Sequence, residues 1–147
     1  MRIYVDACAL NRLTDDPGQP RIRMEAAAME RIFKLVETGR ATWIASSVLV
    51  TEIRKNPDPK RREDALAMAA HATKIHFPDS EIATRAGLLH SLGYGEFDAL
   101  HLAFAERFNA DVLLTTDDRF LRQARRGLGN PSVRVANPLE YEKEEQP

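Results

Sequence analysis

The most apolar part of the chain, residues 95–120, has the pattern of a buried helix followed by a buried strand. Apolar side chains recur there at helical spacing, at Phe97, Leu100, Phe104 and Phe108. The short apolar run Val112–Thr115 is typical of a strand that is covered on both faces. Acidic residues begin and end this region, with Asp98 in the first turn of the predicted helix and Asp117 just after the strand. Each is an ordinary helix cap when taken alone.

Short apolar runs alternate with helical stretches along the rest of the chain. Strands are predicted at 2–5, 42–45, 74–77, 112–115 and 133–136. Helices are predicted at 7–10, 22–37, from 46 or 47 to about 55, 58–71, 80–93, 96–108 and 121–126. From about residue 137 the pattern predicts a turn and a loosely held acidic tail. This alternation indicates an α/β fold with a mostly parallel sheet of four to five strands.

Length and composition limit the possible classes of protein. The 147 residues suit a single domain over 1–147. A single cysteine, Cys8, excludes an intrachain disulfide and a zinc site built from cysteines. The net charge of −1 excludes a wholly basic nucleic-acid binder. Neither a signal peptide nor a membrane-spanning run is found, so we expect a cytoplasmic protein with no membrane partner.

Four acidic residues that are far apart in sequence are predicted to meet at one edge of the sheet. Asp6 directly follows the first strand, Glu52 lies in the helix after the second, and Asp117 follows the fourth. Asp98 begins the helix that leads into that fourth strand. Ligands of open parallel sheets bind outside the carboxyl ends of the strands, which is where these side chains would lie.

Crowded carboxylates at this edge would need a cation. Two unit charges about 4 Å apart repel by about 4 kcal/mol at an effective dielectric constant near 20. Mg²⁺ or Mn²⁺ would relieve this repulsion through carboxylate ligands while keeping several waters. Such a metal activates a water and stabilises charge on a phosphoryl oxygen, which is suited to hydrolysis of phosphodiesters.

These segments together resemble the PIN-domain ribonucleases, and most closely the VapC-type toxins of type II toxin–antitoxin pairs. The resemblance lies in four segments: a hydrophobic strand ending in Asp6, Ser46-Ser47 with Glu52, the run Phe97–Ala103, and the run Leu113–Asp118 with Phe120. It covers nearly the whole chain. No single segment is specific, but their order and spacing are.

The resemblance implies a three-layer α/β/α PIN-like fold and a Mg²⁺- or Mn²⁺-dependent endoribonuclease, a hydrolase that uses a metal-activated water. It assigns catalysis and metal binding to Asp6, Glu52, Asp98 and Asp117. It also implies an RNA substrate, a cognate antitoxin and a homodimer. Thr115 resembles the hydroxyl residue of the family beside the last acid, where it would orient a carboxylate or water.

The sequence departs from the family pattern after the first strand. Many members have Asp-Thr/Ser-Asn there, whereas this chain has Asp6-Ala7-Cys8, so that Asn11 is a candidate for the missing polar contact. Asp118 remains an alternative or additional ligand to Asp117. His101 lies one helical turn after Asp98 and is an auxiliary candidate that could contact a metal-bound water, although packing or a hydrogen bond within the helix layer is favoured. Cys8 is interpreted as a small buried residue.

Two other functions fit parts of the sequence. A phosphatase of the haloacid-dehalogenase type would use Asp6 as a nucleophile, but Cys8 stands where such enzymes usually have a second Asp. A catalytically silent PIN-like module that binds RNA or protein is favoured by the Ala7-Cys8 departure. Retention of all four acids argues against this module, because buried carboxylates without a role are costly.

Overall fold

A central sheet of five parallel strands organises the chain in the computed structural model, which describes residues 1–145 and their side chains through Glu142. The strands are β1 Arg2–Val5, β2 Thr42–Ser46, β3 Lys74–His76, β4 Val112–Leu114 and β5 Arg134–Ala136. The helices are α1 Ala7–Asn11, α2 Pro20–Glu37, α3 Ser47–Arg54, α4 Pro59–Ala69, α5 Ser80–Ser91, α6 Glu96–Arg107, α7 Asp118–Arg125 and α8 Pro138–Glu145. The predicted α/β fold is confirmed.

The first strand of the chain lies in the middle of the sheet. The strand order is β3-β2-β1-β4-β5, and Ile3 of β1 is in register with Trp43 of β2 on one side and Val112 of β4 on the other. The chain therefore runs outward through β2 and β3 and then returns to the opposite side of β1. Such a reversal of strand order opens a crevice at the carboxyl ends of the central strands.

Side chains of β1 alternate between two hydrophobic cores, one on each face of the sheet. Ile3 and Val5 belong to the core that includes residues of α1–α4 and Tyr141 of α8. Tyr4 belongs to the other core, which contains residues of α5, α6 and α7. Helices therefore cover both faces, and the three layers are α, β and α. None of the helices within residues 1–145 has the length and apolar character that a membrane span requires.

The prediction of a loosely held tail from about residue 137 was wrong for the described residues. Pro138–Glu145 forms α8, and Tyr141 is buried in the core against α2. Asn137 begins this helix, because its Oδ1 accepts a hydrogen bond from the backbone N–H of Leu139. Arg31 of α2 also pairs with Glu142. Residues 146 and 147 lie outside the described part of the chain.

Helix α7 starts three residues earlier than the predicted Leu121. Asp117 caps it by accepting hydrogen bonds from the backbone N–H groups of Arg119 and Phe120, at 2.9 and 3.3 Å. Asp118 is therefore already helical, and the turn after β4 is very short. This cap fixes the position of the Asp117 carboxylate relative to the end of β4.

Candidate active site

Asp6 lies at the carboxyl end of the central strand, with only 1% of its surface exposed. Its side chain caps α1 by accepting a hydrogen bond of 2.9 Å from the N–H of Ala9. Burial raises the pKa of Asp6 to about 7, although His101, a hydrogen bond from Thr115 and the Ala9 N–H act in the opposite direction. Asp6 is therefore a rigidly held carboxyl group that keeps its proton unusually well.

Thr115 connects the ends of the two central strands. It is fully buried, and its side chain hydrogen-bonds to the Asp6 carboxyl group. Its Oγ1 also accepts a hydrogen bond of 3.1 Å from the backbone N–H of Asp117. One hydroxyl thus contacts both the residue after β1 and the turn after β4.

Glu52 projects from α3 towards α6, where its Oε1 lies 2.9 Å from Nε2 of His101. His101 is fully buried, and its Nδ1 lies 2.6 Å from the hydroxyl of Tyr4 on β1. Burial acts to lower the pKa of His101, but the hydrogen bond to Glu52 and the charges of Glu52, Asp6 and Asp98 outweigh it and raise the pKa. The predicted hydrogen bond of His101 to another helix is present, to Glu52 on α3, and His101 also contacts Tyr4 on β1.

Asp98 occupies the first turn of α6, close to the other acids. Burial raises its pKa to about 6, and the charges of Asp117 and Glu52 raise it further, whereas His101 and Arg119 lower it. Gly95, at the N-cap of α6, leaves room for this carboxylate: a Cβ at that position would lie 3.3 Å from Asp98 Oδ2. Asp98 is therefore in electrostatic contact with two other predicted site acids.

Cys8 lies near all four acids that were predicted to form the site. It is exposed, which contradicts the expectation of a buried cysteine. Desolvation on its protein side and the charges of four carboxylates raise its pKa. Those four carboxylates are the predicted site residues Asp6, Glu52, Asp117 and Asp98. The fold therefore places all four within electrostatic range of one surface position, and the Cys8 thiol there is kept protonated and poorly nucleophilic.

Asp118 points away from this group. Its two carboxylate oxygens each lie 2.8 Å from a terminal nitrogen of Arg21 on α2, and its side chain is 55% exposed. The pKa of Asp118 is lowered, chiefly by this hydrogen-bonded arginine. Of the two adjacent acids, Asp117 lies close enough to Asp98 to raise its pKa, whereas Asp118 pairs with a cation.

A cavity of about 280 Å³ opens beside Asp117 and Cys8. Asn11 and Thr116 also line it, together with Arg12 and Asp15. Asn11 Oδ1 and Thr116 Oγ1 are buried oxygens without a hydrogen-bond partner among the described residues. Unpaired oxygens beside a group of carboxylates suit a hydrated divalent cation, because its waters donate hydrogen bonds to such atoms.

The carboxylates do not form a ready-made coordination shell. Within residues 1–145, no group of three or more His, Cys, Asp or Glu side chains is arranged to hold a metal ion. Asp6 and Asp117 are turned towards helix N-termini, and Glu52 is turned towards His101. The donor set of hard oxygens still fits Mg²⁺ or Mn²⁺, and the elevated pKa values of Asp6 and Asp98 indicate unneutralised repulsion and burial. One oxygen of each of these three carboxylates lies outside the contacts just named.

A model of the PIN domain matches residues 3–126, which include all four acids. The chain belongs to the PIN-domain family. No curated protein sequence matches it. The PIN fold is shared with solved toxin structures at low sequence identity, so these structures establish the fold alone.

Three such structures illustrate the shared fold. VapBC2 from Rickettsia felis, bound to a DNA fragment from its promoter, has a TM-score of 0.63 and 16% identity, with 93% of this chain and 98% of that chain covered. VapC20 from Mycobacterium tuberculosis, described as a Sarcin-Ricin loop cleaving toxin, has a TM-score of 0.61 and 13% identity, with 86% and 95% covered. VapBC-1 from nontypeable Haemophilus influenzae has a TM-score of 0.61 and 17% identity, with 94% and 98% covered. The resemblance to VapC-type PIN domains is confirmed at the level of fold.

One residue next to the acids, Tyr4, was not singled out in the sequence, and Ser46 was singled out only as a helix cap and as part of the motif with Glu52. Tyr4 is fully buried in a strand, and Ser46 caps α3 while its Oγ lies 2.7 Å from the Tyr4 hydroxyl. A tyrosine in a strand covered on both faces is the available signal, because a buried phenol needs a hydrogen-bond partner. The partner itself lies on another element and cannot be identified from the pattern.

Proposed function

We propose that this PIN domain is a divalent-metal-dependent endoribonuclease, acting as the toxin of a toxin–antitoxin pair. The observation that carries the proposal is the convergence of Asp6, Glu52, Asp98 and Asp117 around Cys8 at the carboxyl ends of the central strands. Helix capping accounts for Asp6 and Asp117 taken singly, but it gives no reason for four carboxylates from separate segments to lie at one edge. A common cation explains their proximity, and a phosphodiester is the substrate that such a centre suits.

The four carboxylates would hold Mg²⁺ or Mn²⁺ through their oxygens. The chemistry supplied by a bound cation is activation of a water molecule and neutralisation of charge on a phosphoryl oxygen. Thr115 and the Ala9 N–H keep Asp6 in place, and the α7 cap does the same for Asp117. Cys8 does not act as a nucleophile, because its raised pKa keeps the thiol protonated.

Two cations flank the acids and would hold the polyanionic substrate. Arg119 is close enough to Asp98 to lower its pKa. Lys55, at the end of α3, lies 4.7 Å from the ring centroid of Phe97 in the first turn of α6. Contacts from Arg and Lys side chains to phosphates orient a nucleic acid without reading its sequence.

The proposal is tested by cleavage of labelled RNA, with a Sarcin-Ricin loop oligonucleotide and purified ribosomal RNA as substrates. Cleavage is expected with Mn²⁺ or Mg²⁺, and it should stop when EDTA is added. Asp98→Asn should abolish it while thermal unfolding shows a folded protein. Asp64→Asn is the matched control, since Asp64 is a surface acid of α4 paired only loosely with Lys60. Cleavage that is unaffected by EDTA and by Asp98→Asn would contradict the proposal.

An antitoxin partner and a homodimer belong to the same proposal. The VapBC structures of similar fold contain toxin and antitoxin together. Co-expression with the product of a small neighbouring open reading frame should relieve growth arrest caused by this chain. The homodimer is tested by light scattering, which measures the molar mass of the purified protein. Growth arrest by Asp98→Asn equal to that by the wild type would contradict toxicity through the proposed site.

One observation favours a second candidate, a catalytically silent RNA- or protein-binding module. The acids of the described residues are not arranged to hold a metal as they stand. Titration calorimetry with Mn²⁺ distinguishes the two candidates. Binding that is lost in Asp98→Asn supports the nuclease, whereas binding of RNA without binding of Mn²⁺ supports the silent module.

A further inference from the structure

A continuous chain of buried hydrogen bonds ends on Glu52. Ser46 Oγ lies 2.7 Å from the Tyr4 hydroxyl, which lies 2.6 Å from His101 Nδ1. His101 Nε2 in turn lies 2.9 Å from Glu52 Oε1. Ser46, Tyr4 and His101 are each fully buried, whereas the Glu52 side chain is 25% exposed. The chain therefore leads from the interior of the protein to the edge where the four acids meet.

The chemistry of the two end groups sets the direction of these hydrogen bonds. An ionised carboxylate only accepts, so His101 Nε2 donates to Glu52. In the neutral imidazole Nδ1 accepts a hydrogen bond from the Tyr4 hydroxyl, and in the imidazolium Nδ1 donates to the Tyr4 oxygen, whose O–H then donates to Ser46 Oγ. Ser46 accepts the backbone N–H of Leu49 at 3.1 Å and can still donate to the Tyr4 oxygen. Each buried polar group of this hydrogen-bond network thereby has a partner, which buried networks require.

We infer that His101 is a positioning residue that fixes the Glu52 carboxylate for cation binding, and that Tyr4 fixes His101. This inference rests on the proposed function. Glu52 has a long side chain, and ordering it at the moment of binding would cost conformational entropy. The contact with His101 occupies Oε1 alone and leaves Oε2 outside it. Outer hydrogen-bond partners of this kind orient carboxylate ligands.

The inference is tested with the full chain, using Mn²⁺ as the probe in titration calorimetry. His101→Leu removes the donor and should weaken Mn²⁺ binding by about 10- to 100-fold. His101→Gln restores an N–H donor and should recover most of that loss. Tyr4→Phe leaves the imidazole in place without its anchor and should give a smaller loss. KM for RNA should change little in all three variants, while kcat falls.

Tyr94→Phe is the matched control. Tyr94 is a second buried tyrosine, and its hydroxyl donates a hydrogen bond of 2.7 Å to the carbonyl of Leu128, away from the acids. Its removal costs the protein one buried hydrogen bond and should leave Mn²⁺ affinity unchanged. A loss of Mn²⁺ affinity in Tyr94→Phe equal to that in Tyr4→Phe would show a general structural effect and would overturn the inference.

A metal-free measurement separates this inference from the proposed function. In ¹⁵N spectra of EDTA-treated protein, Glu52→Gln and Tyr4→Phe should each shift the His101 ring signals, and Tyr94→Phe should not. If His101→Leu binds Mn²⁺ with wild-type affinity while Asp98→Asn does not, the positioning role of His101 is overturned and the proposed function stands. Wild-type protein that binds no Mn²⁺ overturns both proposals. Should His101→Leu fail to fold, Tyr4→Phe decides the matter, since wild-type Mn²⁺ binding in that variant overturns the inference.

Discussion

Arg21 binds both carboxylate oxygens of Asp118, with each pair of atoms 2.8 Å apart. The same guanidinium donates to the carbonyl oxygen of Thr116 at 3.2 Å. This pairing turns Asp118 towards α2, while the neighbouring Asp117 caps α7 and lies close enough to Asp98 to raise its pKa. Two adjacent residues of identical chemistry therefore have separate roles, and substitution can distinguish them.

Asp117→Asn should impair RNA cleavage, whereas Asp118→Asn should keep cleavage and remove only the ion pair with Arg21. Asp117→Asn is expected to lower kcat/KM roughly 100-fold or more, because a cation centre supplies several kcal/mol of charge stabilisation. Asn caps helices about as well as Asp, so stability should be kept. Asp118→Asn should keep activity within about threefold and lose about 1 kcal/mol or less, as exposed ion pairs do. Equal losses of activity in both variants would contradict the assignment.

The metal-free protein should become less stable as the pH rises. An ordinary Asp loses its proton near pH 4, whereas the folded state holds the Asp6 proton to about pH 7 and that of Asp98 to about pH 6. Between pH 4 and pH 7 the folded state thus binds more protons than the unfolded state, so the free energy of unfolding falls with rising pH. The raised pKa of His101 acts in the same direction. Thermal unfolding in EDTA at pH 5, 6, 7 and 8 measures this slope.

Asp6→Asn should reduce that slope. The amide oxygen of Asn can still accept the Ala9 N–H, but it carries no charge to bury. We expect the EDTA-treated variant to gain about 1 kcal/mol or more at pH 8, which corresponds to roughly 3 °C. Mn²⁺ should stabilise the wild type at that pH and not the variant. A wild-type melting temperature that rises from pH 5 to pH 8 in EDTA would contradict the expectation.

Gly95→Ala should impair activity through Asp98. The added Cβ would lie 3.3 Å from Asp98 Oδ2, closer than most Cβ contacts, so the carboxylate must move. A small misplacement of a reacting group is costly, and we expect kcat/KM to fall about tenfold. Gly87→Ala is the control: it lies inside α5 with no atom within 4 Å of the added Cβ. That variant should gain about 0.5–1 kcal/mol and keep full activity. Full activity in Gly95→Ala would contradict the expectation that the Asp98 carboxylate needs the space left by Gly95.

The rate of Cys8 alkylation tests whether the four carboxylates lie near this thiol, and the experiment needs neither metal nor substrate. Cys8 is the only cysteine, so iodoacetamide uptake at pH 8 reports on one thiol. The four nearby carboxylates raise its pKa, and neutralising one of them should increase the fraction of thiolate. Asp98→Asn and Asp117→Asn are each expected to accelerate alkylation roughly two- to tenfold. Asp64→Asn should have no effect. Unchanged rates in both site variants would show that the acids do not converge on Cys8.

The fold could be predicted because its strands and helices carry strong local patterns. The apolar runs at β1, β2 and β4 indicate buried strands, and the intervening periodic stretches indicate helices. Helix α8 escaped prediction because its sequence is mainly acidic and offers few apolar positions, of which Tyr141 is buried in the core. A helix that is stabilised by a few tertiary contacts, such as those of Tyr141 and of Glu142 with Arg31, has little signature of its own.

The site was predictable only in part, for a related reason. The positions of the acids follow from their places after strands or at helix starts, which are local features. The pairing of Asp118 with Arg21 and that of Glu52 with His101 join residues far apart in sequence. Such contacts depend on how the layers pack, and neither spacing nor periodicity records them.

The central position of β1 has a consequence for synthesis of the protein on the ribosome. Asp6 is synthesised long before Asp117, which is brought beside it only when β4 has emerged and paired with β1. A nascent chain that stops before β4 therefore carries Asp6, Glu52 and Asp98 without the strand that completes their edge. The proposed site would thus be assembled only after β4 has left the ribosome.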